Sequence, residues 1–120
     1  MSKHVPTEII LNRKTRVLTV SFGEEKFDLS CEYLRVFSPS AEVKGHGPGQ
    51  EVLQVGKENV NINAIEPMGN YAIKPVFDDG HDSGIFSWDT LYELGKSQQQ
   101  NWRDYLARLE DAGVSRKPSA

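Results

Sequence analysis

The stretch YAIKPVFDDGHDSGIFSWDTLYEL, residues 71–94, decides how the rest of the chain is arranged. Tyr71, Ile73, Pro75 and Phe77 alternate as one face of a strand, and Asp79-Gly80 is a strong turn pair because glycine takes the positive φ that tight hairpins demand. Beyond the turn Ile85, Phe86 and Trp88 carry the apolar burden. Ser87 or Asp89 can then cap a helix with Leu91 and Leu94 on one face and Gly95 placed to end it. The stretch therefore predicts a hairpin feeding a helix. Pro75, unable to donate to a ladder, predicts an edge strand or a bulge at its position. His81 lies in the turn among Asp78, Asp79 and Asp82, which makes this the first place to look for chemistry.

Working back toward the N-terminus, Thr7 to Leu11 and Arg16 to Phe22 are β-prone runs separated by a turn at Asn12-Arg13-Lys14-Thr15. Leu18, Val20 and Phe22 alternate with more polar neighbours and should face inward. Lys26 to Leu29 predicts a third strand, after which Ser30 can cap a short helix over Cys31 to Val36. Pro39 breaks that helix, since the residue before a proline avoids the helical region, and a second short helical turn can follow. Lys44 to Gln50, with three glycines and a proline, predicts a mobile loop. Glu51 to Val55 and Val60 to Ile65 are further strand candidates. Toward the C-terminus, Trp102, Tyr105, Leu106, Leu109 and Ala112 recur at helical spacing after Ser97, and Gly113 caps that helix. The reading is a single α+β domain of mainly antiparallel sheet, with a short helix after the third strand and two C-terminal helices. Its core spans about residues 6–112, and 113–120 form a disordered tail. There is no internal repeat.

Composition narrows the function classes. A chain of 120 residues with 38% hydrophobic and 26% charged residues is ordinary for one soluble domain. No apolar run approaches the roughly 20 residues of a membrane span, and the first six residues lack the apolar core of a signal peptide. A cytoplasmic protein is expected. A net charge of −3, with fourteen basic residues spread along the chain, speaks against nucleic acid as a partner. Arg13, Lys14 and Arg16 cluster at a turn and read as a solvated hairpin tip. Cys31 cannot form an internal disulfide, and flanking Asp28 and Glu32 disfavour a reactive thiolate, so burial is its expected role. His46 in the glycine-rich loop reads as solvated. That loop lacks the Gly-Lys-Ser/Thr ending of a phosphate-binding turn. Asp78, Asp79, His81 and Asp82 lack the spacing of a calcium loop, and no His-x-Asp of a non-haem iron site occurs. Trp88, Trp102, Tyr105, Tyr33 and Tyr71 read as core rather than as a binding platform.

Four phrases together resemble one family. They are Pro6-Thr7-Glu8-Ile9, Leu34 to Val43 (LRVFSPSAEV), Ile65 to Ile73 (IEPMGNYAI) and Phe77 to Trp88 (FDDGHDSGIFSW). The pattern is similar to the small N-terminal domain of gamma-butyrobetaine hydroxylases. It comes nearer to a stand-alone bacterial version of unknown function, and a similar domain is appended to some iron–sulfur carrier ATPases. In the hydroxylase this domain holds a structural zinc through Leu-Arg, two residues, Cys-x-Cys-x-x-Cys and a later histidine. The resemblance places those ligand positions on Ser38, Ser40, Val43 and His81. Three of the four cannot serve, which implies a zinc-free version with neither metal nor cofactor. Structural zinc can supply on the order of 10 kcal/mol of folding energy, so packing between the short helix and the hairpin must hold this corner instead. The catalytic domain of the hydroxylase is a separate, larger unit, and the resemblance carries no oxygenase activity.

The expected function is therefore a non-catalytic protein-interaction or accessory domain with an unknown protein partner. It needs no nucleic acid or membrane, it is a monomer rather than an oligomer, and Asp79, His81 and Asp82 are its candidate functional surface. Two alternatives stand beside it: a zinc- or iron-binding or small oxidoreductase-associated domain using His81, and a structural oligomerisation unit.

Overall fold

The computed structural model describes residues 4–45 and 51–116. Its strands form two separate antiparallel sheets of three. The first comprises β1 (Glu8–Asn12), β2 (Val17–Phe22) and β3 (Glu25–Ser30) in chain order. The second comprises β4 (Ile62–Met68), β5 (Ala72–Phe77) and β6 (Phe86–Ser87). Between them run α1 (Cys31–Val36) and the single turn α2 (Ala41–Lys44), while α3 (Trp88–Lys96) and α4 (Gln98–Asp111) close the chain. The α+β architecture of mainly antiparallel sheet, a short helix after the third strand and two C-terminal helices is the one expected, and its strands divide into two sheets.

Apolar alternation explains how the sheets meet. Leu18, Val20 and Leu29 from the first sheet and Ile62, Ile73, Phe77 and Phe86 from the second share one core with Tyr33 and Leu34 of α1 and Leu91 and Leu94 of α3. A smaller cluster of Val36, Tyr105 and Leu109 seats α4, and Trp102 and Phe37 pack against both clusters. Ser30 caps α1 as its position predicts, its hydroxyl accepting from the Tyr33 N–H at 3.0 Å, and Ser87 caps α3 through the Thr90 N–H at 3.1 Å.

Several local expectations change. The return arm of the central hairpin is strand only at β6, where Ala72 pairs with Ser87 and Ile73 with Phe86. Residues 81–85 leave the sheet because His81 and Gly84 turn inward toward the segment after α1. That makes β5 central rather than an edge, yet β6 does not reach as far as Pro75, and the ladder opposite carries a register shift between Ile62 and Ala64. Both features tolerate the missing N–H. Residues 51–55 are not a strand. Gly95 does not end α3 but lies within it, because a Cβ there would fall 2.4 Å from the Phe27 ring.

Arg13 is no free hairpin tip. Its Nε donates to the Ile62 carbonyl and its Nη2 to Asn63, both at 3.0 Å, tying the first hairpin to β4. Tyr71, read as core, is 52% exposed, and Leu106 of the predicted α4 stripe is exposed as well. Gly113 to Arg116, assigned to the disordered tail, are placed: the Val114 N–H donates to the Leu109 carbonyl and Val114 packs on the smaller cluster. Residues 117–120 lie outside the described residues, as do His46 and most of the loop read as mobile. Among the described residues no helix is long and apolar enough to cross a membrane.

Candidate functional site

Pro39 sets up the site. It ends α1 and holds Ser38 off the helical path, and Ser40 follows in an extended conformation at the N-cap position of α2. The Ser40 hydroxyl makes no capping bond there. It lies instead 3.3 Å from His81 Nε2, and the Ser38 hydroxyl lies closer still at 2.9 Å. On the other side of the ring, Nδ1 is 3.1 Å from Glu42 Oε2. A carboxylate can only accept, so Nδ1 donates to Glu42, and in the neutral ring Nε2 is left to accept from a serine hydroxyl. The His81 side chain is 1% exposed, with Phe77 as a neighbouring wall at 5.8 Å between ring centroids.

The turn that carries His81 is itself clamped. Phe77 N–H donates to the His81 carbonyl at 3.0 Å, and His81 N–H donates to Asp79 Oδ1 at 3.2 Å. The other oxygen of Asp79 receives Arg35 Nε and Lys57 Nζ, both at 2.8 Å. Burial alone would raise the Asp79 carboxyl, but the hydrogen bonds from Lys57, the His81 N–H and Arg35 outweigh it and hold it at about 2. Arg35 is buried and Asp79 is exposed, so α1 and the turn are joined by an ion pair that reaches from the interior to the surface.

The residues singled out in the sequence thus separate. Ser38, Ser40 and His81 converge, and Val43 is buried one helical turn on. Of the candidate surface, Asp79 serves Arg35 and the His81 backbone, Asp82 is exposed, and His81 is buried. Cys31 is buried as expected, and burial pushes its thiol up to about 11, far from a reactive thiolate. Sequence reasoning missed Glu42, although its place two residues beyond Ser40 was the available signal.

The donor set does not fit zinc. Two neutral hydroxyls and an apolar Val43 stand where thiolates would be needed, and among the described residues no three His, Cys, Asp or Glu side chains converge. Gly84 shows how the space is closed, since a Cβ there would fall 2.1 Å from Ser38 Oγ.

The connectivity Ser38 to His81 to Glu42 is that of a hydrolase relay, in which a histidine base stands between a serine and an orienting acid. Exposure runs the wrong way for that chemistry. A working nucleophile meets substrate while its acid is sheltered; here Ser38 is 0% exposed and the Glu42 side chain 68%. A second concave region lies elsewhere, a groove of about 790 Å³ between α1, α4 and the first hairpin, with Glu32, Tyr33, Trp102 and Arg116 in its walls.

Comparisons with known proteins agree with the arrangement. The gamma-butyrobetaine hydroxylase-like, N-terminal family matches residues 9–92. Two proteins whose structures were solved by NMR in solution are similar over 99% of this chain. One is 54% identical with 89% of its own length covered and a TM-score of 0.83; the other is 52% identical with 94% covered and a TM-score of 0.84. A crystal structure of a protein of unknown function from Acidithiobacillus ferrooxidans ATCC 23270, in the DUF971 family, is 34% identical. It covers 75% of this chain and 91% of its own, with a TM-score of 0.63. No curated protein matches the sequence. On the match over residues 9–92 and the relatives above 50% identity, the chain belongs to the gamma-butyrobetaine hydroxylase-like, N-terminal family.

Proposed function

We propose that this domain is a non-catalytic protein-interaction or accessory module. It works in the cytoplasm as a monomer beside oxygenases or iron–sulfur assembly proteins, without nucleic acid, membrane or cofactor. The observation that carries the reading is the clasp of Ser38, His81 and Glu42, whose serine is fully buried against Gly84, whose histidine is buried beside it and whose polar atoms satisfy one another. A group that must meet substrate cannot be closed in this way; a group that joins two segments of a fold should be. Family membership supports the accessory role, since the hydroxylase carries its catalytic machinery in another domain.

The relay connectivity favours one rival, a small hydrolase, and a serine-directed fluorophosphonate probe separates the two. The expected result is no labelling of Ser38 and no turnover of a panel of simple esters and amides. Stoichiometric labelling that disappears in Ser38→Ala, or turnover abolished by His81→Ala, would overturn the reading.

A further inference from the structure

The groove contains a carboxylate that is unusual for its depth. Glu32 is 5% exposed, and both of its oxygens receive hydrogen bonds from the guanidinium of Arg116, Nε at 2.8 Å to Oε2 and Nη2 to Oε1. The same guanidinium lies 5.3 Å over the Trp102 ring. A buried carboxylate facing an indole wall is the constellation that recognises a planar guanidinium. It takes two parallel hydrogen bonds in the plane and cation–π contact on the face, which the compact ammonium of lysine cannot reproduce. Arg116 reaches this seat from a short segment beyond α4, 84 residues away from Glu32 in sequence, and its side chain is still 29% exposed. The groove continues past it, edged by the hydrogen-bonding side chains of Ser30, Gln98 and Gln99.

We propose that the Glu32–Trp102 seat is an arginine-recognition site. Its ligand is an arginine side chain on an extended segment of a protein partner, and Arg116 is the intramolecular occupant that the partner displaces. The proposal rests on the interaction-module reading above and gives that module a partner chemistry. Withdrawal of Arg116 removes one positive charge from the groove and leaves Glu32 buried and unpaired, a state that favours the entry of another guanidinium. Gln98 and Gln99 then offer donors and acceptors to the backbone on either side of the incoming arginine. With Arg116 withdrawn, Arg16 and Arg103 in the same walls are matched in number by Glu32 and Glu58, so the recognised feature is the arginine itself rather than the charge of its flanks.

The test uses the full chain carrying Arg116→Ala and two blocked pentapeptides that differ only in a central arginine or lysine, followed by the indole NMR signal of Trp102. The arginine peptide is expected to bind this variant about tenfold more tightly than it binds the wild-type chain, the factor that follows when an intramolecular occupant leaves about one seat in ten open. The lysine peptide is expected to bind far more weakly, and adding Glu32→Gln is expected to abolish the preference for arginine. Equal binding of the two peptides, or a preference that survives Glu32→Gln, would overturn the proposal. Should Arg116→Ala fail to fold, Arg116→Lys keeps the charge but loses the fork, and the same arginine preference must appear. Because the readout is at Trp102, its failure is distinct from labelling at Ser38, which would overturn the module reading itself.

Discussion

Trp102→Ala should cost about 3–5 kcal/mol of stability, the range for removing a large aromatic from a packed interior. Trp102 is half-buried, but it packs against both apolar clusters. Its ring meets Tyr33 edge-on at 6.2 Å and Tyr105 at 5.1 Å. Tyr33 in turn donates its hydroxyl to the Leu94 carbonyl at 2.7 Å and accepts from Asn101 at 3.0 Å, so one aromatic column joins α1, α3 and α4. Loss of the indole also removes the face on which Arg116 rests. Equilibrium urea unfolding followed by circular dichroism measures the change. A loss below about 1 kcal/mol would mean that the ring serves only as a wall of the groove and contributes little to the joint between the clusters.

Asp79→Ala is the second large effect, about 3 kcal/mol at neutral pH, because it strands the buried Arg35 without its carboxylate. Gln54 still accepts from Arg35 at 3.0 Å and Asp79 is itself exposed, which keeps the loss at or below the lower end for a broken buried pair. The effect has a defined pH window. Asp79 is held at about 2 against an ordinary 3.8, so its charged form is favoured by folding. That contribution is complete above about pH 5, falls as pH drops through 3.8 toward 2, and is worth about 1 kcal/mol once solvent screening of the exposed carboxylate is allowed for. Asp79→Asn should therefore differ from the wild type by about that amount at pH 7 and hardly at all at pH 2. Unfolding curves of the two proteins at both pH values decide the matter, since the other carboxylates are common to both. A gap that persists in acid would show that Asp79 acts through shape rather than charge.

Much of the fold was legible because it rests on local chemistry. The caps at Ser30 and Ser87, the break at Pro39 and the alternation of β2 depend on residues close together in sequence, where period and turn chemistry speak directly. The meeting of His81 with Ser38 and Ser40 was legible in another way, through the family pattern rather than through spacing. What could not be read was long-range. Glu32 and Arg116 stand 84 residues apart, and Arg13 finds β4 about fifty residues on. Neither has a periodic signature, so an exposed hairpin tip and a disordered tail were the default readings for residues that in fact bridge elements. Gly95 misled for a related reason: the same absence of a side chain that can end a helix also admits a neighbouring ring, and only packing tells the two apart.

Glu42 changes the character of the site. Without it, His81 would have one ring nitrogen bonded. With it, both nitrogens are engaged, and the corner is held by a hydrogen-bonded clasp of two serines, a histidine and a carboxylate. Ser83 adds a further bond to Glu42 at 3.3 Å, drawing the return arm of the hairpin onto α2.

The most direct test of that clasp is the unfolding free energy of Ser38→Ala against wild type in urea at pH 7. A nucleophile is held at the expense of stability, so replacing one leaves a protein as stable as before or more so. A structural hydroxyl buried against a histidine does the opposite. The clasp predicts a loss of about 1–3 kcal/mol, the cost of leaving a buried hydrogen-bonding group without its partner. An unchanged or increased stability would contradict it.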